Sequence, residues 1–272
     1  MKKFSVITFA VIFSILLLFV SCKKSQESKD ESKIIVGATP QPHAEMLELI
    51  KDDMKDAGYT LEIKEFTDYV TPNEALESSE IDANFFQHLP YMNSFNRDRG
   101  FHLVSAGGIH IEPLALYSKK FGSLEVFKNS RSRKTIAIPN DPTNEGRALL
   151  LLQSAGLITL NDRTSLESTP ADIKDNPYNI RFEEIEAATL PRVLNDVDAA
   201  VINGNYAIPA GLLATRDGLF IEGADSPYVN VITVKSGNKN SPAVKKLVEL
   251  LKSDKVKNWV KTTYPNGEVV LV

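Results

Sequence analysis

The chain has 272 residues, with 31 Lys and Arg against 35 Asp and Glu, for a formal net charge of −4. That balance argues against a nucleic-acid surface, which needs clustered positive charge. Cys22 is the only cysteine, so no internal disulfide is possible.

The N-terminus carries the first strong signal. Lys2 and Lys3 precede an apolar run from Phe4 to Val20, interrupted only by Ser5, Thr8 and Ser14, and Ser21-Cys22 follows at once. This is the pattern of a secretory signal peptide over residues 1–21. A run of about 17 residues also meets the lower limit for spanning a bilayer, so an uncleaved anchor helix is the competing reading. The stretch FVSC resembles a bacterial lipobox, with Phe19 where leucine is usual, and makes Cys22 the expected lipidation site. Acyl chains contribute about 0.8 kcal/mol per buried methylene, enough for two or three of them to hold a protein to a membrane. Residues 23–33 (KKSQESKDESK) contain no apolar side chain, so residues 22–33 are expected to form the lipidated cysteine and a solvated tether. Loss of Lys2 and Lys3 with the leader takes the net charge to −6.

From Ile34 onward short apolar runs alternate with helical periodicity. IIVGA reads as a buried strand leading into the turn residues Thr39–Pro42. Leu47, Ile50, Met54 and Ala57 then recur at spacings of three and four, the core stripe of a helix stopped by Gly58. LEIKEF is a strand, Thr71–Ser78 a short helix, IDANFF a strand, and Leu89–Arg97 a helix ended by Gly100. The segment FHLVSAGGIHIEPLALYSK is β-rich and is expected to break at Gly107-Gly108. KTIAIP, IRFEEI, DAAVI and YVNVITVKS are further strands. Helices are expected over Pro142–Ala155, Thr189–Asn195, Pro242–Lys252 and Lys255–Thr262.

This order implies βαβ units around mostly parallel sheets, an α/β fold. Roughly 240 residues suit two lobes better than one small domain. We expect lobe one over 34–118 plus 233–272 and lobe two over 119–232, with crossings near 117–122 and 228–235 and a hinged cleft between them.

No G-x-S-x-G, Walker A, H-E-x-x-H or CxxC motif is present, and the sequence asks for no catalysis and no cofactor. His43, His88, His102 and His110 show no metal-ligand spacing, so no metal site is expected. The positive evidence lies where strands meet helices. In IPNDPTNEGRALLLL, a helix begins near Pro142 with Asn140 or Asp141 as cap, and Arg147 lies within its first two turns. Arg147 either grips an anionic group with its fork or pairs with Asp141 or Glu145 at the surface. Phe86, His88 and Tyr91 in DANFFQHLPY either wall an apolar pocket or fill the core. Asn203, Asn205 and Asn230 supply amides suited to ammonium and carboxylate groups, or serve as turn residues.

GATPQPHAE, DANFFQHLPY, IPNDPTNEGRALLLLQSAGLI, INGNYA and SPYVNV closely resemble methionine-binding lipoproteins of the NlpA/MetQ type, over nearly the whole chain from Ile34. The resemblance implies a type II periplasmic binding protein that captures L-methionine and hands it to the permease of an ATP-binding cassette (ABC) transporter. It implies a membrane-anchored location on the extracytoplasmic side, periplasmic in a two-membrane bacterium. It further implies that Arg147 meets the ligand carboxylate and that Asn203 and Asn230 fix the amino-acid backbone. Tyr69, Phe86, His88 and Tyr91 would then enclose the thioether. Asn140, Thr143, Asn205 and Tyr206 are secondary candidates. Another amino acid or a methionine-containing dipeptide would suit the same fold. A surface adhesin or antigen with an idle cleft is the alternative of a different class.

Overall fold

The computed structural model describes residues 32–223 and 226–272. The expected signal peptide, the expected lipidation site Cys22 and nearly all of the expected tether lie outside the described residues. No helix among the described residues is long and apolar enough to cross a membrane.

In chain order the strands are β1 (Lys33–Ala38), β2 (Thr60–Glu65), β3 (Ala83–His88), β4 (Leu103–Ile111), β5 (Ala115–Tyr117) and β6 (Lys134–Pro139). They continue with β7 (Thr159–Leu160), β8 (Ile173–Asp175), β9 (Ile180–Ile185), β10 (Ala199–Ile202), β11 (Gly218–Ile221), β12 (Asn230–Lys235) and β13 (Val270–Leu271). One sheet runs β13-β4-β12-β3-β1-β2 and a second runs β11-β5-β10-β6-β9, with β7 and β8 as a separate pair. At one end of each sheet the pairs β1·β2, β1·β3, β6·β9 and β6·β10 are parallel, as expected when helices return the chain between strands.

Apolar side chains explain why these segments hold. Val36, Phe85 and Ile232 of the first sheet are buried against Leu47, Ile50, Met54, Leu247 and Leu251. The expected stripe through Leu47, Ile50 and Met54 therefore faces the core, although the helix pauses at Ile50 between Glu45–Leu49 and Lys51–Asp56. In the second sheet Ile136, Ile138 and Val201 pack on Ala148, Leu149 and Leu152 of the helix Pro142–Ser154.

Two expectations are corrected. Gly107-Gly108 does not break the chain: β4 runs through both, paired with β12 across local register shifts. These glycines serve close approach, because a Cβ would stand 2.7 Å from Val248 Cγ1 at Gly107 and 2.8 Å from Val229 Cγ1 at Gly108. The crossings between sheets also lie earlier than 117–122 and 228–235. Ala115–Tyr117 already pairs with β10 and β11, so the chain leaves the first sheet over residues 112–114. It returns between β11 and β12, and Asn230–Ile232 belong to the first sheet.

Candidate functional site

The ends of β3, β4, β6 and β10 and the start of β12 converge on a cavity of about 340 Å³, counting its mouth. Open α/β sheets place ligands at the carboxyl ends of their strands, and this cavity follows that rule. Its lining includes Tyr69, Phe86, His88, Tyr91, Arg147, Asn203, Asn205 and Asn230 from the expected set. Gln87, Glu112, Asn144 and Gly204 also line it and were not expected.

Local chemistry sets these positions. His88 ends β3 and caps the helix Leu89–Arg99, its Nδ1 accepting from the Tyr91 backbone N–H at 3.1 Å. That acceptor role places the ring proton on Nε2, which faces Asn144 Oδ1 at 3.2 Å. Asp141 caps the helix Pro142–Ser154 by accepting from the Asn144 N–H at 3.0 Å, and the Asn144 side chain donates to both of its carboxylate oxygens. Asn203 Nδ2 donates to Asn144 Oδ1 at 2.7 Å. Asn144 thus ties the first sheet to the second through one amide.

The rings form a single wall. Tyr69 lies 5.9 Å from both Phe86 and Tyr91, and Phe86 lies 6.0 Å from Tyr91. Tyr91 donates its hydroxyl to the Tyr69 carbonyl at 2.7 Å, and Tyr69 donates to Asn205 Oδ1 at 2.5 Å. Such ring pairs are worth about 0.5–1.5 kcal/mol each beyond the area they bury. Tyr206 does not line the cavity but leans on Tyr69, the ring centres 5.0 Å apart and the planes tilted by 36°. Thr143 faces a neighbouring groove beside Leu89 and Leu166, and Asn140 is exposed. Neither Thr143 nor Asn140 lines the cavity.

Arg147 is buried, and its partner is neither Asp141 nor Glu145. Its Nε donates to Glu222 Oε1 at 2.9 Å, Nη2 donates to Glu222 Oε2, and Nη2 also donates to the Glu112 carbonyl at 2.8 Å. Its guanidinium stacks on Tyr228 with Cζ 4.3 Å from the ring centre. Glu222 lies 75 residues away in sequence, so local spacing carries no trace of this pairing.

Beneath the wall, Glu112 Oε1 lies 2.8 Å from His110 Nε2 and 3.4 Å from His43 Nε2. His43 is also bonded to Thr39 Oγ1 at 2.8 Å and Asn230 Oδ1 at 3.2 Å. Burial pushes His43 down to about 4 and His110 and His88 down to about 3, the Arg147 charge adding to the effect at His88, so all three are neutral near pH 7. Burial pushes the Glu112 carboxyl up, opposed by His43 and Arg147. His43, His110 and Glu112 offer three ligand atoms within 4.8 Å of one another, a grouping the histidine spacing did not reveal. The His110–Glu112 separation is that of a hydrogen bond from imidazole N–H to a carboxylate, whereas His43 Nε2 is bonded to Asn230 Oδ1 and only approaches Glu112.

Two mixed sheets with a ring-walled polar cavity where their strand ends meet define a substrate-binding protein of the two-lobed periplasmic type. The chain belongs to the NlpA lipoprotein family, whose model matches residues 34–272. It is 42% identical to the membrane lipoprotein TpN32 of Treponema pallidum, over 98% of each chain. It is also 42% identical to the D-methionine-binding lipoprotein MetQ of Escherichia coli K12, over 96% of this chain and 97% of that one. A nutrient-binding protein from Burkholderia cenocepacia, solved bound to methionine, superposes with a TM-score of 0.83 at 44% identity, over 88% of this chain and 99% of its own.

Proposed function

We propose that this protein captures methionine outside the cytoplasm and delivers it to an ABC uptake transporter, held at the membrane by lipid on Cys22. The observation that carries the reading is the pairing, in one cavity, of the Tyr69–Phe86–Tyr91 wall with the amides and guanidinium of Asn203, Asn205, Asn230 and Arg147. An amino acid with an apolar side chain needs both halves. A polarizable sulfur near ring edges gains roughly 0.3–1.5 kcal/mol per contact, which suits a thioether to this wall.

In this reading Arg147 receives the ligand carboxylate on the edge of the guanidinium left over from Glu222. Asn203 and Asn230, on different sheets, hold the backbone polar groups. Ligand contacts from both sheets favour the closed arrangement over the open one, because each contact is complete only when the sheets approach. The chain itself performs no chemistry; transport energy is supplied by the permease's ATPase.

The test is mass spectrometry of small molecules released on denaturing the purified protein, followed by calorimetry with L- and D-methionine. Stoichiometric methionine, or saturable binding of added methionine, is expected. Release of another amino acid or a dipeptide would replace the ligand, and no binding of either methionine isomer would overturn the reading.

A further inference from the structure

Arg97 lies on the helix Leu89–Arg99, which leaves the first sheet directly after β3. Its guanidinium crosses to the other half of the fold, where Nη2 donates to Glu167 Oε1 at 2.7 Å. Glu167 sits on the excursion between β7 and β8, and that excursion is fixed to the second sheet. Leu160 and Ile173 at its ends pack into the apolar core around Ile136 and Leu149. Gln153 of the helix Pro142–Ser154 donates to the Arg163 carbonyl at 3.2 Å, and the Leu166 carbonyl closes on Gly146. Arg97 is steadied on its own side, where Nη2 also donates to Ser94 Oγ at 2.9 Å. Each charge is thus presented from a firm support, one belonging to each sheet.

Packing does little to join the halves here. A groove of about 480 Å³ separates them, with Leu89, Asn93 and Arg97 on one side and Thr143, Leu166 and Glu167 on the other. The ion pair bridges this groove. Other surface pairs stay within the elements of one sheet, as Lys255–Asp53 does in the first and Lys120–Asp198 in the second. Tyr206 also crosses, donating its hydroxyl to the Thr67 carbonyl at 3.1 Å, but that bond joins neutral groups. The Arg97 and Glu167 side chains are 58% and 41% exposed, so salt can screen their attraction.

We propose that Arg97 and Glu167 form an electrostatic latch that favours the closed arrangement of the sheets, so that opening and ligand release quicken as ionic strength rises. The proposal goes beyond the identity of the ligand and takes from the methionine reading only the opening of the sheets. Rotation about the two crossings parts the helix from the excursion and breaks the pair. An exposed ion pair shifts such an equilibrium about 2–5-fold, enough to bias closure without locking it.

The experiment is hydrogen exchange, read by mass spectrometry, on the full chain in detergent at low salt without added ligand. Peptides carrying Tyr91 and Asn203–Tyr206 report opening, because they approach the cavity from different sheets. Arg97→Gln and Glu167→Gln should each speed that exchange about 2–5-fold, and the double variant should be no faster than either single one. Wild-type exchange should quicken by the same factor in about 1 M sodium chloride, where the variants no longer differ from it. Release of bound radiolabelled methionine should follow the same pattern. Wild-type exchange in both single variants, effects that add in the double variant, or unchanged methionine release beside faster exchange would overturn the latch. A wild-type rate indifferent to salt would overturn it even if a variant failed to fold. A wild type that binds no methionine would instead overturn the methionine reading, and exchange alone would then decide the latch.

Discussion

Arg147 and Glu222 join the two crossing segments of the fold. Glu222 follows β11, accepts from Arg147 through both oxygens, and also accepts from the Leu114 N–H at 3.2 Å. Arg147 in turn donates to the Glu112 carbonyl, so one guanidinium holds the outgoing and the returning strands together beside the cavity. A residue expected to serve the ligand also serves the framework.

Arg147→Ala should therefore lose both functions. Removing one member of a mostly buried pair leaves the other charge uncompensated, a loss of about 3 kcal/mol in unfolding free energy. Methionine binding should disappear in calorimetry. Glu222→Gln separates the roles: stability should fall, while the guanidinium remains for the carboxylate. If Arg147→Ala unfolds at the same denaturant concentration as wild type, the pairing contributes nothing to the fold.

The aromatic wall predicts a graded series. Tyr91→Phe removes only the hydroxyl that donates to the Tyr69 carbonyl, and should cost about 1 kcal/mol of stability with a few-fold loss of affinity. Phe86→Ala empties a buried ring position and should cost about 3–5 kcal/mol. Chemical denaturation with parallel calorimetry checks both; equal effects would mean that ring packing is not what shapes the wall.

Buried neutral histidines predict acid sensitivity. His43, His88 and His110 bind protons more weakly folded than unfolded, so the unfolded chain takes up more protons as pH falls below about 6.5. Their contribution to stability is complete above that value and is lost as pH falls towards 4 and then 3. Glu112 and Asp141, whose folded carboxyls are pushed up by burial, act in the opposite sense. The expected outcome is a melting temperature that drops between pH 6.5 and 4, with imidazole nitrogens that stay neutral by NMR at pH 5.5. Protonated resonances from these three rings at pH 5.5 would contradict it.

Gly146 should not tolerate a side chain. A Cβ there would lie 2.3 Å from the Leu166 carbonyl oxygen and 2.8 Å from the Glu167 nitrogen, both backbone atoms. Gly146→Ala should destabilise by about 1–3 kcal/mol by forcing the helix Pro142–Ser154 away from that loop. Because Arg147 is the next residue, methionine affinity should fall as well. An unchanged melting temperature would show that the loop yields freely.

Much of the architecture was legible in sequence because its causes are local. Pro142 after a capping Asp141, His88 before Leu89-Pro90, and the left-handed Gly100 and Gly156 set helix boundaries within a few residues of chain. The apolar runs of β1, β6 and β10 declare strands buried on both faces, and their alternation with helices implies parallel sheets. Residue types at strand ends also brought out Phe86, His88, Tyr91, Asn203 and Asn230, and recognisable segments carried the family. What tertiary structure decided has no local period. Gly107-Gly108 resembles a turn until Val248 and Val229 are seen against it. Arg147 has acidic neighbours two and six residues before it, yet pairs with Glu222, because burial selects the partner that arrives at the same depth rather than the nearest in the chain. Glu112 left one clue, a carboxylate within an apolar β-rich run. Only the fold placed His110, His43 and Gly204 around it at the edge of the cavity.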